Sequence, residues 1–323
     1  MRNASAKTHM TRITRVEIGR RDYPLIGEFK FFKSGARPSV IVRLTDASGR
    51  QGYGQAVPVE SWTYETVESV TSTLEHYLAP AVLGADPTDL ADVHARMEKA
   101  IRPSFSVGQP LAKAAIDLAC YDLWGKQQGK PVCELLGGAP MGKRADEIRL
   151  SWTINTTDLD KAVHLLEEGR ALGYDSFNVK VGPPQTPAND LDLVAPVTQF
   201  SPVEAEEFAA LGMMDGIAMK VARCGGLWRA SRIIEGMQRD GLKLFASGLT
   251  DPEMSLAASV HLFAWAGLAS PAALNGPQYL ADRGTGDAAF RAVADRVRVP
   301  SAPGLGVMPD ATAIQSLTMA ANS

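Results

Sequence analysis

Two lysines, each closing a short apolar run, are the residues of this chain best placed to do chemistry. Lys180 follows Phe177-Asn178-Val179, and Lys220 follows Ile217-Ala218-Met219. If both runs are parallel strands of a β/α barrel, both amines project from C-terminal strand ends into the mouth where such folds keep their active sites. In that setting, desolvation and a neighbouring cation tune an amine toward acid/base work. Two such groups on opposite walls can take a proton from one face of a carbon acid and return it to the other. The competing reading is a strand-end lysine that simply reaches into solvent, which is the commoner fate of a lone one.

The surroundings of Lys220 favour the chemical reading. GIAMKVARCGG places Arg223 and a Gly225-Gly226 turn just after it, at the start of a helix. Free N–H groups there would suit a substrate carboxylate, and a plain tight loop is an equal alternative. Further on, SGLTDPE brings Asp251 to where it would touch a substrate, against the competing reading of a helix N-cap before Pro252.

The elements that must position these residues follow from periodicity. Thr11 to Val57 alternates as a strand and then a hairpin turning over Asp46-Ala47-Ser48-Gly49. From Thr63 to Lys126 the period becomes helical, so that 11 to about 140 reads as an α+β domain, preceded by a disordered tail over 1–10. From 141 to 310 strands and helices alternate: strands at 149–155, 176–182, 216–220, 242–247 and 272–276, with a helix over Leu227–Arg239 and another over Pro252–Ala266. Thr157 with Asp160, and Ser201-Pro202-Val203-Glu204, carry helix-start signals. The fold class is therefore α/β, a (β/α) barrel with an N-terminal α+β capping domain, and 311–323 is expected to pack on the capping domain.

The barrel is short. Arg149 to Asp310 supplies 162 residues, whereas eight βα units typically take about 250. Five strands can be read, and the shortfall of about three units falls between 182 and 201, where PPQTPANDLDLVAPVTQF breaks the alternation. An internal deletion would leave open strand edges, a poor folding proposition. A sequence that joins parts of a longer chain is the favoured explanation on that ground.

Bulk properties exclude other classes. A net charge of -3 offers no basic face for nucleic acid or anionic membrane. No apolar stretch reaches the roughly 18 residues of a membrane helix, and the N-terminal MRNASAKTHM lacks a signal-like apolar core. Three scattered cysteines, Cys120, Cys133 and Cys224, make neither a disulfide framework nor a zinc site and fit a reduced, cytoplasmic setting.

Taken together, GYGQAVP, AAIDLACYDLWGK followed by PVCELLGG, FNVKVG and DGIAMKVARCGGL resemble the enolase superfamily, in its muconate-lactonizing-enzyme-like (mandelate racemase/muconate lactonizing enzyme) branch. The resemblance runs from about Arg12 to Asp310. It implies a first domain that caps the barrel mouth, with Ile26, Phe29 and Trp62 bordering a small carboxylate substrate and Lys180 and Lys220 flanking it. Asn178, Gly248, Asp251 and Asn275, at or near strand ends, complete the expected substrate-binding set. The implied chemistry is proton abstraction next to a carboxylate, through an enediolate stabilised by Mg²⁺.

The expected metal carboxylates belong to the third to fifth strands, which are absent here, so the ligands are unknown. Asp190, Asp192, Glu204, Glu206 and Glu207 lie between the lysines, but a loop and a solvated helix account for them. Asn178 stands where many relatives carry a further lysine, and Gln55 replaces a frequent acid in the capping hairpin. None of the five histidines (His9, His76, His94, His164, His261) ends a barrel strand, which points away from the histidine-using branches. The expected activity is racemisation, epimerisation or cycloisomerisation. An acid-sugar dehydratase and a metal-free binding scaffold are the alternatives, and a homo-oligomer is expected.

Overall fold

A computed structural model describes residues 11–26, 35–104, 107–155, 159–179, 215–281 and 291–320. Phe29, Lys180, the expected helix start at Thr157 and the 183–200 and Ser201 segments lie outside the described residues.

The chain opens with three antiparallel strands, β1 (Ile13–Pro24), β2 (Ala36–Asp46) and β3 (Gln51–Ala56). Helices α1 (Val67–Thr73), α2 (Leu90–Ala100) and α3 (Pro110–Gln128) follow. Then come β4 (Glu147–Arg149), β5 (Trp152–Ile154), α4 (Leu159–Ala171), β6 (Phe177–Val179), β7 (Gly216–Met219), α5 (Leu227–Arg239), β8 (Lys243–Ala246), α6 (Glu253–Ala266), β9 (Arg296–Arg298) and β10 (Gln315–Ala320).

The hairpin between β2 and β3 closes because Asp46 Oδ1 accepts from the backbone N–H groups of Ser48 and Arg50, both at 2.9 Å. The glycines of GYGQAVP have a packing cause. A Cβ on Gly54 would stand 1.9 Å from the carbonyl oxygen of Ala115, so only glycine lets α3 lie directly on β3. That helix starts with Pro110 at its first turn and the Glu65 carboxylate on the N–H groups of Leu111 and Ala112, at 3.0 and 3.3 Å. It ends at Gly129 in the left-handed region. β10 returns to pair antiparallel with β1, so the last strand joins the first sheet.

The second half is a parallel array. β5 pairs with β6 and β7 with β8, both in parallel. Bridges Leu150↔Ala272 and Ser247↔Ala273 insert a short segment between the pairs. The described order is thus β6, β5, the 272–273 segment, β8, β7, five parallel strands with every side-to-side connection accounted for. The expected strand at 149–155 is split, because Arg149 belongs to β4, which pairs antiparallel with β9. All fourteen residues of α6 are buried, and its polar side chains Glu253, Ser255 and His261 each have a hydrogen-bond partner. Among the described residues no helix is long and apolar enough to cross a membrane.

Candidate active site

Lys220 leaves the C-terminal end of β7. Its register partner set places Ala218 opposite Phe245, so the period of two puts Ala218, Lys220, Phe245 and Ser247 on one face of the array. The Lys220 ammonium donates to Ser247 Oγ at 2.6 Å. It also lies 5.6 Å from the centroid of the Trp62 ring, which the first domain extends over the strand ends. Arg223 stands against the same ring and donates to the Trp62 carbonyl at 2.7 Å; burial lowers its pKa. One aromatic side chain is thus held between two cations.

Gly248 lies against the Asp251 carboxylate. That carboxylate is buried and accepts from Ser255 Oγ at 3.0 Å. Burial raises its pKa, opposed by the charge of Arg37, the Ser255 hydroxyl, the Leu249 N–H and the charge of Lys220. Asp251 is therefore anchored within the fold by Ser255, close enough to Lys220 to feel its charge. It does not cap α6, since Gln55 Oε1 takes the Ser255 N–H at 3.1 Å. Asn178 is held by the neighbouring segment, donating to Ser151 Oγ just before β5 at 2.8 Å and accepting from Thr153 Oγ1 on β5 at 3.1 Å. Asn275 is buried at the start of the turn Gly276–Tyr279. Ile26 is half exposed, and its N–H donates to the Tyr279 carbonyl at 2.8 Å, docking the entry of the capping loop on the end of the barrel.

The Gly225-Gly226 turn does not receive a substrate carboxylate. Asp117, from the middle of α3, fills it and accepts from the N–H groups of Leu227 and Trp228, at 2.5 and 3.2 Å. His94 Nε2 lies 2.8 Å from the same carboxylate. The positive end of α5 is thereby neutralised from inside the protein.

Three contributors went unread in the sequence. Ser247 closes LKLFAS, and a parallel register would have set it beside Lys220. Arg37 is fully buried and donates to the carbonyls of Leu249 at 3.1 Å, Pro38 at 2.8 Å, and Pro58 and Val57 at 2.6 Å; burial brings its pKa down to about 10. Gln278 spans the Thr153 backbone, donating to its carbonyl at 2.8 Å and accepting its N–H at 3.0 Å. Neither residue lies in a motif that announces such a role.

A lysine at the end of one strand of a parallel β/α array, roofed by an aromatic from an α+β cap, defines a barrel enzyme scaffold. Residues 24–137 match the family model described as Mandelate racemase / muconate lactonizing enzyme, N-terminal domain, and residues 188–313 match Enolase C-terminal domain-like. The chain belongs to the mandelate racemase/muconate lactonizing enzyme family of the enolase superfamily.

Among its relatives is N-succinyl-L-Arg/Lys racemase of Bacillus cereus, 36% identical over 148 residues, which are 45% of this chain and only 37% of that protein. Muconate cycloisomerase 1 of Rhodococcus opacus is 25% identical over 380 residues, covering 95% of this chain and 98% of that one. An alignment longer than the 323-residue chain means that this relative carries residues with no counterpart here. In fold, the chain is similar to the crystal structure of the Bacillus cereus racemase, with a TM-score of 0.81 at 21% identity over 95% of this chain and 99% of that one. It is also similar to L-Ala-D/L-Glu epimerase from Bacillus subtilis, with a TM-score of 0.80 at 20% identity over 92% and 99%.

Proposed function

We propose that this chain moves a proton at the carbon next to a carboxylate, with Lys220 as the group that takes it and gives it back. The products would be those of racemisation, epimerisation or cycloisomerisation of a small carboxylate. The observation that carries this reading is the placement of the Lys220 amine at a strand end, aimed by Ser247 Oγ at 2.6 Å and roofed by Trp62. The names of the relatives, racemase and cycloisomerase, agree with it.

In the forward step the C–H bond breaks, its proton passes to the neutral amine, and the electron pair spreads onto the carboxylate. In the reverse step the ammonium returns a proton to carbon. Ser247, accepting one N–H, fixes the direction in which the amine points. Inversion needs a second group on the other face, and Lys180 is the expected one.

Enzymes of this family work with a divalent metal, and magnesium is the expected ion. The described residues do not fit it: they contain no group of three or more His, Cys, Asp or Glu able to hold a metal ion, and Asp251 is committed to Ser255. No step is therefore routed through a metal. The free, buried cysteines suit a cytoplasmic setting.

The test is deuterium incorporation at the α-carbon of N-acylamino acids and dipeptides in D₂O, read by mass spectrometry with Mg²⁺ and with chelator. Incorporation is expected, and Lys220→Ala should lower it by about 100-fold or more. No incorporation from any member of the panel would sink the enzyme reading and favour a carboxylate-binding scaffold. Undiminished exchange in chelator would dismiss magnesium.

A further inference from the structure

The two groups that touch the Lys220 amine come from different halves of the chain: the Trp62 ring from the cap, and Ser247 Oγ from just after β8. One buried side chain touches the backbone that carries both. Arg37, at the start of β2, is completely buried. Its Nη2 donates to the Val57 carbonyl and its Nη1 to the Pro58 carbonyl, both at 2.6 Å, and its Nε donates to the Leu249 carbonyl at 3.1 Å.

On the cap side, Pro58 leads straight into a closed turn. The Val59 carbonyl accepts from the N–H groups of Trp62 and Thr63, at 2.8 and 2.7 Å, and Thr63 Oγ1 accepts the Val59 N–H at 2.9 Å. The Trp62 backbone is thus fixed to a residue that directly follows the Arg37 contact. On the barrel side, Leu249 lies just beyond Ser247 and Gly248. Both of its backbone groups are committed, the C=O to Arg37 and the N–H to the Asp251 carboxylate. Thr250 follows, buried and with a φ of 57°. A β-branched residue in the left-handed region is strained and persists only where its surroundings over-determine it. The two bonds on Leu249 supply that constraint.

We propose that Arg37 is a positioning residue for Lys220: its planar guanidinium locks the Trp62 turn and the Leu249 loop into one frame, so that the aromatic roof and the Ser247 acceptor keep a fixed spacing around the amine. Arginine suits the task because its donors diverge in one rigid plane, which a lysine ammonium cannot reproduce. The consequence for catalysis rests on the proton transfer proposed for Lys220, whereas the frame itself does not.

Acetylation of Lys220 by acetic anhydride, read by peptide mass spectrometry on the folded chain, tests the frame without a substrate. In the wild type Lys220 should react more slowly than the exposed Lys130, because Trp62 covers it. Arg37→Lys should raise the Lys220 rate by roughly three- to tenfold, the weight of one lost hydrogen bond, with Lys130 unchanged. The two halves should stay docked, since Tyr23 and Gln55 hold α6 to the cap independently, at 2.6 and 3.1 Å. If Arg37→Lys does not fold, Arg37→Gln, which keeps two N–H donors without a buried charge, decides. In a Trp62→Ala background the same substitution should add less than it does alone, because part of what it holds is already gone. A wild-type Lys220 as reactive as Lys130, an unchanged Lys220 rate in the folded variant, or fully additive effects would overturn the proposal. Exchange at the α-carbon, measured alongside, should lose kcat with KM little changed in Arg37→Lys. Labelling that responds as expected while the wild type exchanges no α-proton would sink the proposed reaction and keep the frame.

Discussion

The carboxylate of Asp117 occupies the volume that a side chain on Gly226 would need. A Cβ built on Gly226 falls 2.3 Å from Asp117 Oδ1, and Gly226 has a φ of 117°. A residue in the middle of the long helix of the first half thus holds the helix that follows Lys220, across 110 positions of sequence. Its charge is compensated by two backbone N–H groups and His94, which makes deep burial tolerable.

Gly226→Ala should therefore be costly on two counts, a left-handed backbone and a steric overlap with a buried carboxylate. About 2–4 kcal/mol is expected. Urea denaturation read by circular dichroism measures it; an unchanged midpoint would show that the Asp117 contact yields freely.

Ser247→Ala removes the acceptor that aims Lys220. The fold should survive, because only one hydrogen bond of about 0.5–1.5 kcal/mol is lost. Exchange at the α-carbon should fall by roughly three- to tenfold, because the amine is no longer held in one direction. An exchange rate equal to wild type would mean that Ser247 does not aim the amine.

His261 is fully buried on α6, with Nε2 3.2 Å from the Leu305 carbonyl. Burial pushes its pKa down to about 4 from 6.5. The folded state therefore keeps it neutral where the unfolded chain protonates it. Stability from this group is intact above 6.5 and is lost as pH falls from 6.5 toward 4. At about pH 5 the loss is roughly 2 kcal/mol. Comparing wild type with His261→Gln at about pH 7.5 and pH 5 isolates it, and equal pH slopes would refute the assignment. Glu65 runs the other way. Burial raises it to about 7, so its contribution weakens as pH rises from 4.5 to 7, and only the difference between the two proteins is diagnostic.

Gln55→Glu should destabilise the contact between the two halves. The Gln55 amide donates to Tyr23 Oη at 3.0 Å and Ser39 Oγ at 3.2 Å, and Tyr23 Oη donates to Glu253 at 2.6 Å. A carboxylate there loses both donors and adds a charge close to Glu253, for about 2–4 kcal/mol. The deficit should shrink in acid as the new carboxyl protonates. A thermal midpoint equal to wild type at neutral pH would rule this out.

Much of the scaffold was legible because it is written in short-range periodicity. The alternation of Ile217-Ala218-Met219-Lys220 and of Leu242–Ser247 marks strands with a lysine and a serine at their ends. The helical spacing over Leu227–Arg239 coincides with α5. Motifs such as GYGQAVP were recognisable, but their cause, the Ala115 carbonyl against Gly54, lies in a contact between distant segments. What only the tertiary structure decided is where polar side chains find partners. The turn at Gly225-Gly226 reads equally as a carboxylate seat or a plain tight loop, and it is Asp117 from another helix that fills it; Asp251 reads as a substrate contact or a helix N-cap, and the partner it finds is the Ser255 hydroxyl. Local pattern records which way a side chain can point, whereas the partner that satisfies a buried charge is brought by chain segments whose separation no local pattern encodes.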